Sequence, residues 1–170
     1  MTSTHTTIDS PLGELTLVAV DGALSGLYFP GHWYMPAPGV FGARAERGFE
    51  RAERELGEYF AGERTGFELP TAATGGDEFQ RRVWELIDRI PYGKTTTYGE
   101  MAAQLGADPT LARKVGGAVG RNPLSIVTPC HRVVGKDGKL TGYAGGLERK
   151  QQLLELEGAS VVAVAETRLF

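Results

Sequence analysis

The amino-acid sequence predicts an α/β domain followed by a mainly helical domain with a helix-turn-helix. Three observations carry this. Residues 1–75 hold β-forming segments and one amphipathic helix, while the pattern after the small, Gly/Thr-rich stretch 70–76 is helical almost throughout. Two short helices joined by a tight, Gly-containing turn follow at 97–120. The charge changes sign at the same stretch: residues 1–75 carry 5 Lys/Arg against 10 Asp/Glu, and residues 76–170 carry 13 against 11. The expected domains are therefore 1–75 and 76–170.

Taken in order, residues 12–20 alternate weakly and are rich in β formers, so they predict a strand. Asp21-Gly22 is a hairpin signal, and residues 23–29 make the returning strand. The stretch 30–42 holds three prolines and three glycines and reads as a loop. From 43 to 61, Phe49, Ala52, Leu56 and Phe60 fall on one helical face, with Glu and Arg on the other, and Gly62 ends the run. Asp77 can cap a helix carrying Phe79, Val83, Leu86 and Ile90, which stops at Pro91-Tyr92-Gly93. Thr97 and Glu100 have capping-box spacing for a short helix through Leu105, closed by Gly106. Asp108-Pro109 starts a second helix, running to about Gly120. Residues 147–157 form the last predicted helix.

Composition narrows the function classes. With 41% hydrophobic and 23% charged residues in 170, the chain is ordinary globular material. No apolar run approaches the roughly 20 residues of a membrane span, and residues 1–10 lack the features of a signal peptide, so a soluble cytoplasmic protein is expected. One cysteine excludes a disulfide framework, and three scattered histidines give no ligand spacing, so no metal is expected. The net charge of −3 argues against nucleic acid, yet residues 111–150 hold 8 basic and only 2 acidic residues. Such a stretch is either a solvated face or the footprint of an anionic partner.

The second predicted helix of the pair has an unusual outer face. Leu111, Val115, Ala118 and Val119 cluster on one side, and Arg113, Gly116 and Gly117 on the other. Each glycine costs about 1 kcal/mol of helix propensity against alanine. Its use here lets a neighbouring surface approach closely, either another helix or DNA.

The segment 120–134 carries the chemistry. Cys130 lies between Pro129 and His131, with Arg132 beside it. A cysteine is usually a small buried apolar residue, but nearby cationic groups favour its reactive thiolate. Neighbours in sequence point apart, so Cys130 and His131 would meet through a bridging water. Downstream, Leu147, Lys150, Leu154 and Glu157 share one helix face. Packed on the Cys130 segment, that face would let Glu157 orient His131 and bring Lys150 to the reacting atoms. Exposed, the same residues would be a surface ion-pair network. Gly93-Lys94-Thr95 resembles the end of a phosphate-binding loop, but Asp88 stands where that motif needs glycine.

The sequence Pro-Cys-His-Arg-Val (129–133), preceded by Gly-Arg-Asn-Pro (120–123) and followed by Tyr-Ala-Gly-Gly-Leu (143–147) and Leu-Leu-Glu-Leu-Glu-Gly (153–158), resembles the O6-alkylguanine-DNA alkyltransferases, or methylated-DNA–protein-cysteine methyltransferases. The resemblance covers about 79–158 closely and the N-terminal half more loosely. It implies an N-terminal RNase-H-like α/β domain and a winged-helix-like C-terminal domain with a helix-turn-helix. It also implies that Cys130 accepts the alkyl group, that His131 activates it through a water, and that Glu157 stands behind His131. Asn122 matches a buried asparagine that holds the turn into the site. Arg113 matches an arginine finger that replaces an extruded nucleotide. Ala112, Lys114, Gly116, Tyr98 and Arg132 join Arg113 as expected DNA-binding residues. Tyr98 and Lys150 are the alternatives for assisting the leaving base. The expected substrate pocket is Val119, Val133, Tyr143 and Ala144, the last standing where many members have serine.

The implied function is direct-reversal repair, an irreversible, single-use transfer from O6-alkylguanine in DNA to Cys130, with O4-alkylthymine as a further candidate substrate. No cofactor is expected. The expected partner is double-stranded DNA containing alkylated bases, approached in this family through the minor groove. The chain is expected as a monomer, with cooperative assembly on DNA as the alternative. Two rival readings are a winged-helix regulator without chemistry and a cysteine hydrolase using Cys130, His131 and Glu157.

Overall fold

A computed structural model describes residues 2–106 and 111–159. The chain forms two compact units, one from Met1–Gly75 with Pro123–Val127, the other from Gly76–Asn122 with Thr128–Phe170.

The first unit is built on a four-stranded mixed sheet in the order β3-β2-β1-β4. Its strands are β1 (Ser3–Ile8), β2 (Leu15–Val20), β3 (Ala23–Tyr28) and β4 (Ala43–Arg44). Asp21 and Gly22 turn β2 into β3 with φ of 50° and 84°, the paired positive values of a tight hairpin. β1 pairs antiparallel with β2, Thr6 opposite Leu17, and parallel with β4, Thr4 opposite Ala43. Sequence reasoning missed β1. Only Thr6 of its six residues is buried, so it lacks an apolar alternation, and its signal is β-branched content alone. The strand expected from residue 12 begins at Leu15, because a turn with Gly13 at φ 106° precedes it.

The helix expected over 43–61 is shorter, α1 (Glu50–Phe60), because Ala43 and Arg44 are drawn onto β1. It buries Ala52, Glu55, Leu56 and Tyr59. Glu55, expected on the solvated face, is instead sealed in. Its carboxylate accepts the N–H groups of Glu68 and Leu69 at 2.8 and 3.2 Å and pairs with Arg51 at 2.9 Å. The expected linker is also partly structured. Leu24 donates to the Pro70 carbonyl and Ala72 donates to the Leu24 carbonyl, both at 2.9 Å, which pins the start of this stretch to β3. Leu27 donates to the Pro123 carbonyl at 2.8 Å, so β3 is paired where an edge strand would otherwise be open.

The second unit contains α2 (Glu78–Asp88), α3 (Tyr98–Gln104), α4 (Ala112–Gly120) and α5 (Leu147–Leu156). A short parallel pair, β5 (Thr96–Thr97) and β6 (Val133–Val134), accompanies them. Asp77 caps α2 through a full capping box with Gln80. The box expected at α3 is half formed. Thr97 accepts the Glu100 N–H at 3.1 Å, but the Glu100 carboxylate takes the Thr96 hydroxyl at 2.8 Å instead of the cap backbone. Gly106 follows α3 with φ 71°, as its position predicts. The helix start expected at Asp108-Pro109 lies outside the described residues, as does the tail 160–170. Val83, Trp84 and Ile87 of α2, Met101 and Ala102 of α3, and Val115, Ala118 and Val119 of α4 share one core cluster with Cys130 and Val133. The Trp84 indole N–H donates to the Ala118 carbonyl at 2.9 Å, fixing α2 against α4. Among the described residues no helix is long and apolar enough to cross a membrane.

Candidate functional site

α4 ends at Gly120, and Asn122 stands just beyond it, buried. Its amide donates to the Thr128 carbonyl at 2.9 Å, and that same carbonyl accepts the Cys130 N–H at 2.7 Å. Asn122 therefore fixes the entry to a single 3-10 turn, Cys130–Arg132. Ile126, four residues before Cys130, adopts φ 72°, which is strained for a β-branched residue. After the turn, β6 pairs Val133 with Thr96, and Tyr98 follows as the first residue of α3.

All three residues of the turn are buried. Cys130 is buried at 4% exposure and reduced. His131 is fully buried, and its Nε2 lies 2.7 Å from Glu157 Oε2. A carboxylate only accepts, so Nε2 carries the hydrogen and Nδ1 presents a lone pair, an assignment made from the hydrogen-bond network. Nδ1 is buried and has no hydrogen-bond partner among the described residues. Burial pushes the imidazole below its ordinary range, Glu157 pulls it back, and the Arg132 and Lys150 charges push it down again. The net direction is downward, which gives a neutral ring able to take a proton.

Lys150 is buried in α5 and donates to the Gly142 carbonyl at 2.8 Å. Burial lowers its ammonium to about 8, against the pull of Cys130 in the other direction. Its Nζ stands 5.8 Å from the centre of the Tyr98 ring. Burial raises the Tyr98 phenol, offset by a hydrogen bond with Thr141, with the Cys130 charge raising it further. The surface ion-pair alternative for Lys150 and Glu157 is thereby excluded, since both are buried.

The structure places Cys130, His131, Glu157, Asn122, Lys150 and Tyr98 in one unit. Val119 and Val133 lie in the buried cluster with Cys130, Tyr143 packs against that cluster, and Ala144 is half-buried. On α4, Arg113, Lys114 and Gly117 are exposed together, while Ala112 and Gly116 are half-buried. Gly116 faces the Tyr98 ring, where an added Cβ would stand 3.8 Å away, and Gly117 has open space. Lys114 Nζ lies 4.4 Å over the Phe79 ring.

Arg132 requires a correction. Expected on the DNA-binding face, it is buried and turned inward: Nε meets Glu157 Oε1 at 2.8 Å and Nη2 meets Oε2 at 3.0 Å. The Cys130 charge acts on Lys150, where it opposes the effect of burial on the ammonium. The inward turn follows from electrostatics, because a buried carboxylate leaves a larger penalty unpaired than an exposed arginine does. Sequence reasoning also missed the supporting backbone groups: the carbonyls of Thr128, Gly142 and Ile90 and the N–H of Gly93. Main-chain groups leave no trace in residue identity.

Two family models match the chain. Residues 4–73 match the 6-O-methylguanine DNA methyltransferase ribonuclease-like domain, and residues 78–159 match the DNA binding domain of the same family. A methylated-DNA–protein-cysteine methyltransferase of Mycolicibacterium paratuberculosis is 51% identical over 153 residues, covering 90% of this chain and 91% of the relative. The crystal structure of Mycobacterium tuberculosis OGT in complex with DNA is similar with a TM-score of 0.84 at 47% identity, over 91% of this chain and 92% of that one. A further crystal structure, of Mycobacterium tuberculosis O6-methylguanine methyltransferase, gives 0.82 at 42% identity, over 97% and 99%.

Proposed function

Because this chain belongs to the 6-O-methylguanine DNA methyltransferase family, we propose that Cys130, its only thiol, is the atom that ends the reaction carrying the alkyl group. The protein is a DNA-repair methyltransferase that reverses damage directly, moving a methyl group from DNA to cysteine. The observation that carries the assignment is the buried turn in which Cys130 adjoins His131, whose Nε2 is held by Glu157 and whose Nδ1 points to no protein partner.

The exposed face of α4 lies against duplex DNA, where Gly117 lets the backbone approach closely and Lys114 meets phosphate. Arg113 fills the stack left by an extruded O6-alkylguanine. Extrusion costs a few kcal/mol and is easiest for a weakened pair. The base lies near Tyr98, Tyr143 and Ala144. His131 Nδ1 takes the thiol proton through a water, and Lys150 stabilises the thiolate. The sulfur attacks the alkyl carbon in line: the S–C bond forms, the C–O6 bond breaks, and its electron pair passes to the guanine. The guanine then takes a proton, with Lys150 the better-placed donor because its ammonium titrates at about 8 while the Tyr98 phenol is raised. The product is a thioether with no easy reversal, so each chain acts once. O4-alkylthymine enters by the same route. The protein works without metal or cofactor, as a monomer in the cytoplasm.

The test is mass spectrometry after incubation with methylated duplex. One methyl adduct per chain, on the peptide holding Cys130, is the expected plateau. Cys130→Ala should take up none and still bind duplex. Multiple turnovers, or an adduct elsewhere, would overturn the assignment.

A further inference from the structure

Glu157 is a carboxylate sealed inside the second unit, and its surroundings are unusually complete. His131 Nε2 donates to Oε2 at 2.7 Å, Arg132 reaches both oxygens at 2.8 and 3.0 Å, and the Gly93 N–H reaches Oε1 at 3.3 Å. The third guanidinium donor, Arg132 Nη1, is fixed by the Ile90 carbonyl at 2.6 Å, and the Tyr92 ring lies 5.7 Å from the guanidinium carbon. Arg132 is thus held against the segment that follows α2, with its fork on Glu157.

A buried carboxylate needs one compensating positive charge. Two neighbours could supply it here, Arg132 or His131 as an imidazolium. Arginine does not give up its proton in a protein, so its presence decides the matter. With Glu157 already balanced, His131 has no electrostatic reason to be protonated. Without Arg132, the same carboxylate would recruit a proton onto His131, and Nδ1 would become a donor.

We propose that Arg132 is a positioning residue for the alkyl transfer: by balancing and orienting Glu157, it keeps the His131 ring neutral, with Nδ1 able to accept the Cys130 proton. This rests on the alkyl-transfer reading above. The groups acting on His131 are Lys150 from α5, Glu157 just beyond its end, and Arg132 on its own turn. From α2, which also packs on the turn, the Asp88 carboxyl is engaged with the Thr128 hydroxyl.

The test is the rate of Cys130 methylation by methylated duplex as a function of pH, with the full chain. Arg132→Met keeps an unbranched side chain and loses the charge. It should react several-fold more slowly at neutral pH, with its acid limb moved up by about one pH unit or more, and should approach the wild-type rate at high pH. Arg132→Lys keeps a charge but not the fork. It should be slower with its acid limb where the wild type has it. A uniform slowing of Arg132→Met with an unmoved limb, or no slowing, would overturn the proposal. Nitrogen NMR of the His131 ring in the wild type gives an independent reading that survives a misfolded variant. A neutral ring protonated on Nε2 is expected near neutral pH, and an imidazolium would overturn the proposal. A wild-type chain that takes up no methyl group defeats the underlying reading instead, and the NMR still judges Arg132.

Discussion

At the scale of single residues, the site is organised by where charge can be afforded. Glu157 is negative and buried, and Arg132 answers it directly. Lys150 is buried as well, held by the Gly142 carbonyl, and its ammonium feels the Cys130 charge. His131, between the two cations, is pushed toward neutrality and so toward base chemistry. The candidate reacting residues could be named from sequence because the Pro-Cys-His-Arg-Val run is distinctive. The inward pairing of Arg132 could not, because its partner lies 25 residues away in the chain and only folding brings them together. Arg113 is the residue to test on the DNA side. It is exposed on α4 beside Gly117. Arg113→Ala should slow repair of methylated duplex by about tenfold or more, and should leave the reaction with free alkylguanine base nearly unchanged, because only the duplex reaction includes extrusion. Equal losses with the two substrates would rule out the finger role.

At the scale of elements, α4 shows a helix whose sequence serves something other than its own stability. Its inner face is ordinary core, with Val115, Ala118 and Val119 buried. Its outer face carries Gly117, and among the described residues nothing lies within 4 Å of where a Cβ would stand. Packing among the described residues therefore does not require glycine there. Gly117→Ala should stabilise the fold by about 1 kcal/mol, raising the melting temperature by roughly 2–4 °C. The same methyl group should weaken binding to duplex DNA. Calorimetry and a binding titration check the two halves, and undiminished affinity would remove the case for close backbone approach. Other elements show how far sequence patterns reach. The Asp77 cap read for α2 proves to be a full capping box with Gln80, and the box read for α3 is half formed because Glu100 takes the Thr96 hydroxyl. β1 escaped notice because hydroxyl-bearing residues hide a strand from a search for apolar alternation.

At the scale of the whole molecule, the acidic and basic halves of the sequence fall largely into different compact units. The net charge of −3 therefore misleads about the partner, because a DNA surface responds to local charge. Global stability also carries a signature of the site. His131 is lower in the folded chain than its ordinary value, so below about pH 6.5 the unfolded chain binds a proton that the folded one refuses. Stability attributable to His131 is therefore fully present above about pH 6.5 and is lost as pH falls below it, until the folded ring also titrates. Thermal unfolding followed over about pH 5 to 8 should show this loss, and His131→Gln should flatten it. A slope unchanged by the substitution would show that other groups carry the acid sensitivity.

The sequence by itself determined the two-part organisation, the helix pair, the lone thiol and the company it keeps. These are encoded locally, in periodicity, capping residues and a short contiguous motif. Only the tertiary structure decided that Arg132 faces inward, that Glu55 is sealed against a distant loop, and that Lys150 is buried with its ammonium on the Gly142 carbonyl. The physical reason is common to all three. A charged side chain looks the same in sequence whether it meets water or a buried partner, and which it meets is fixed by burial and by backbone groups that only the fold brings near.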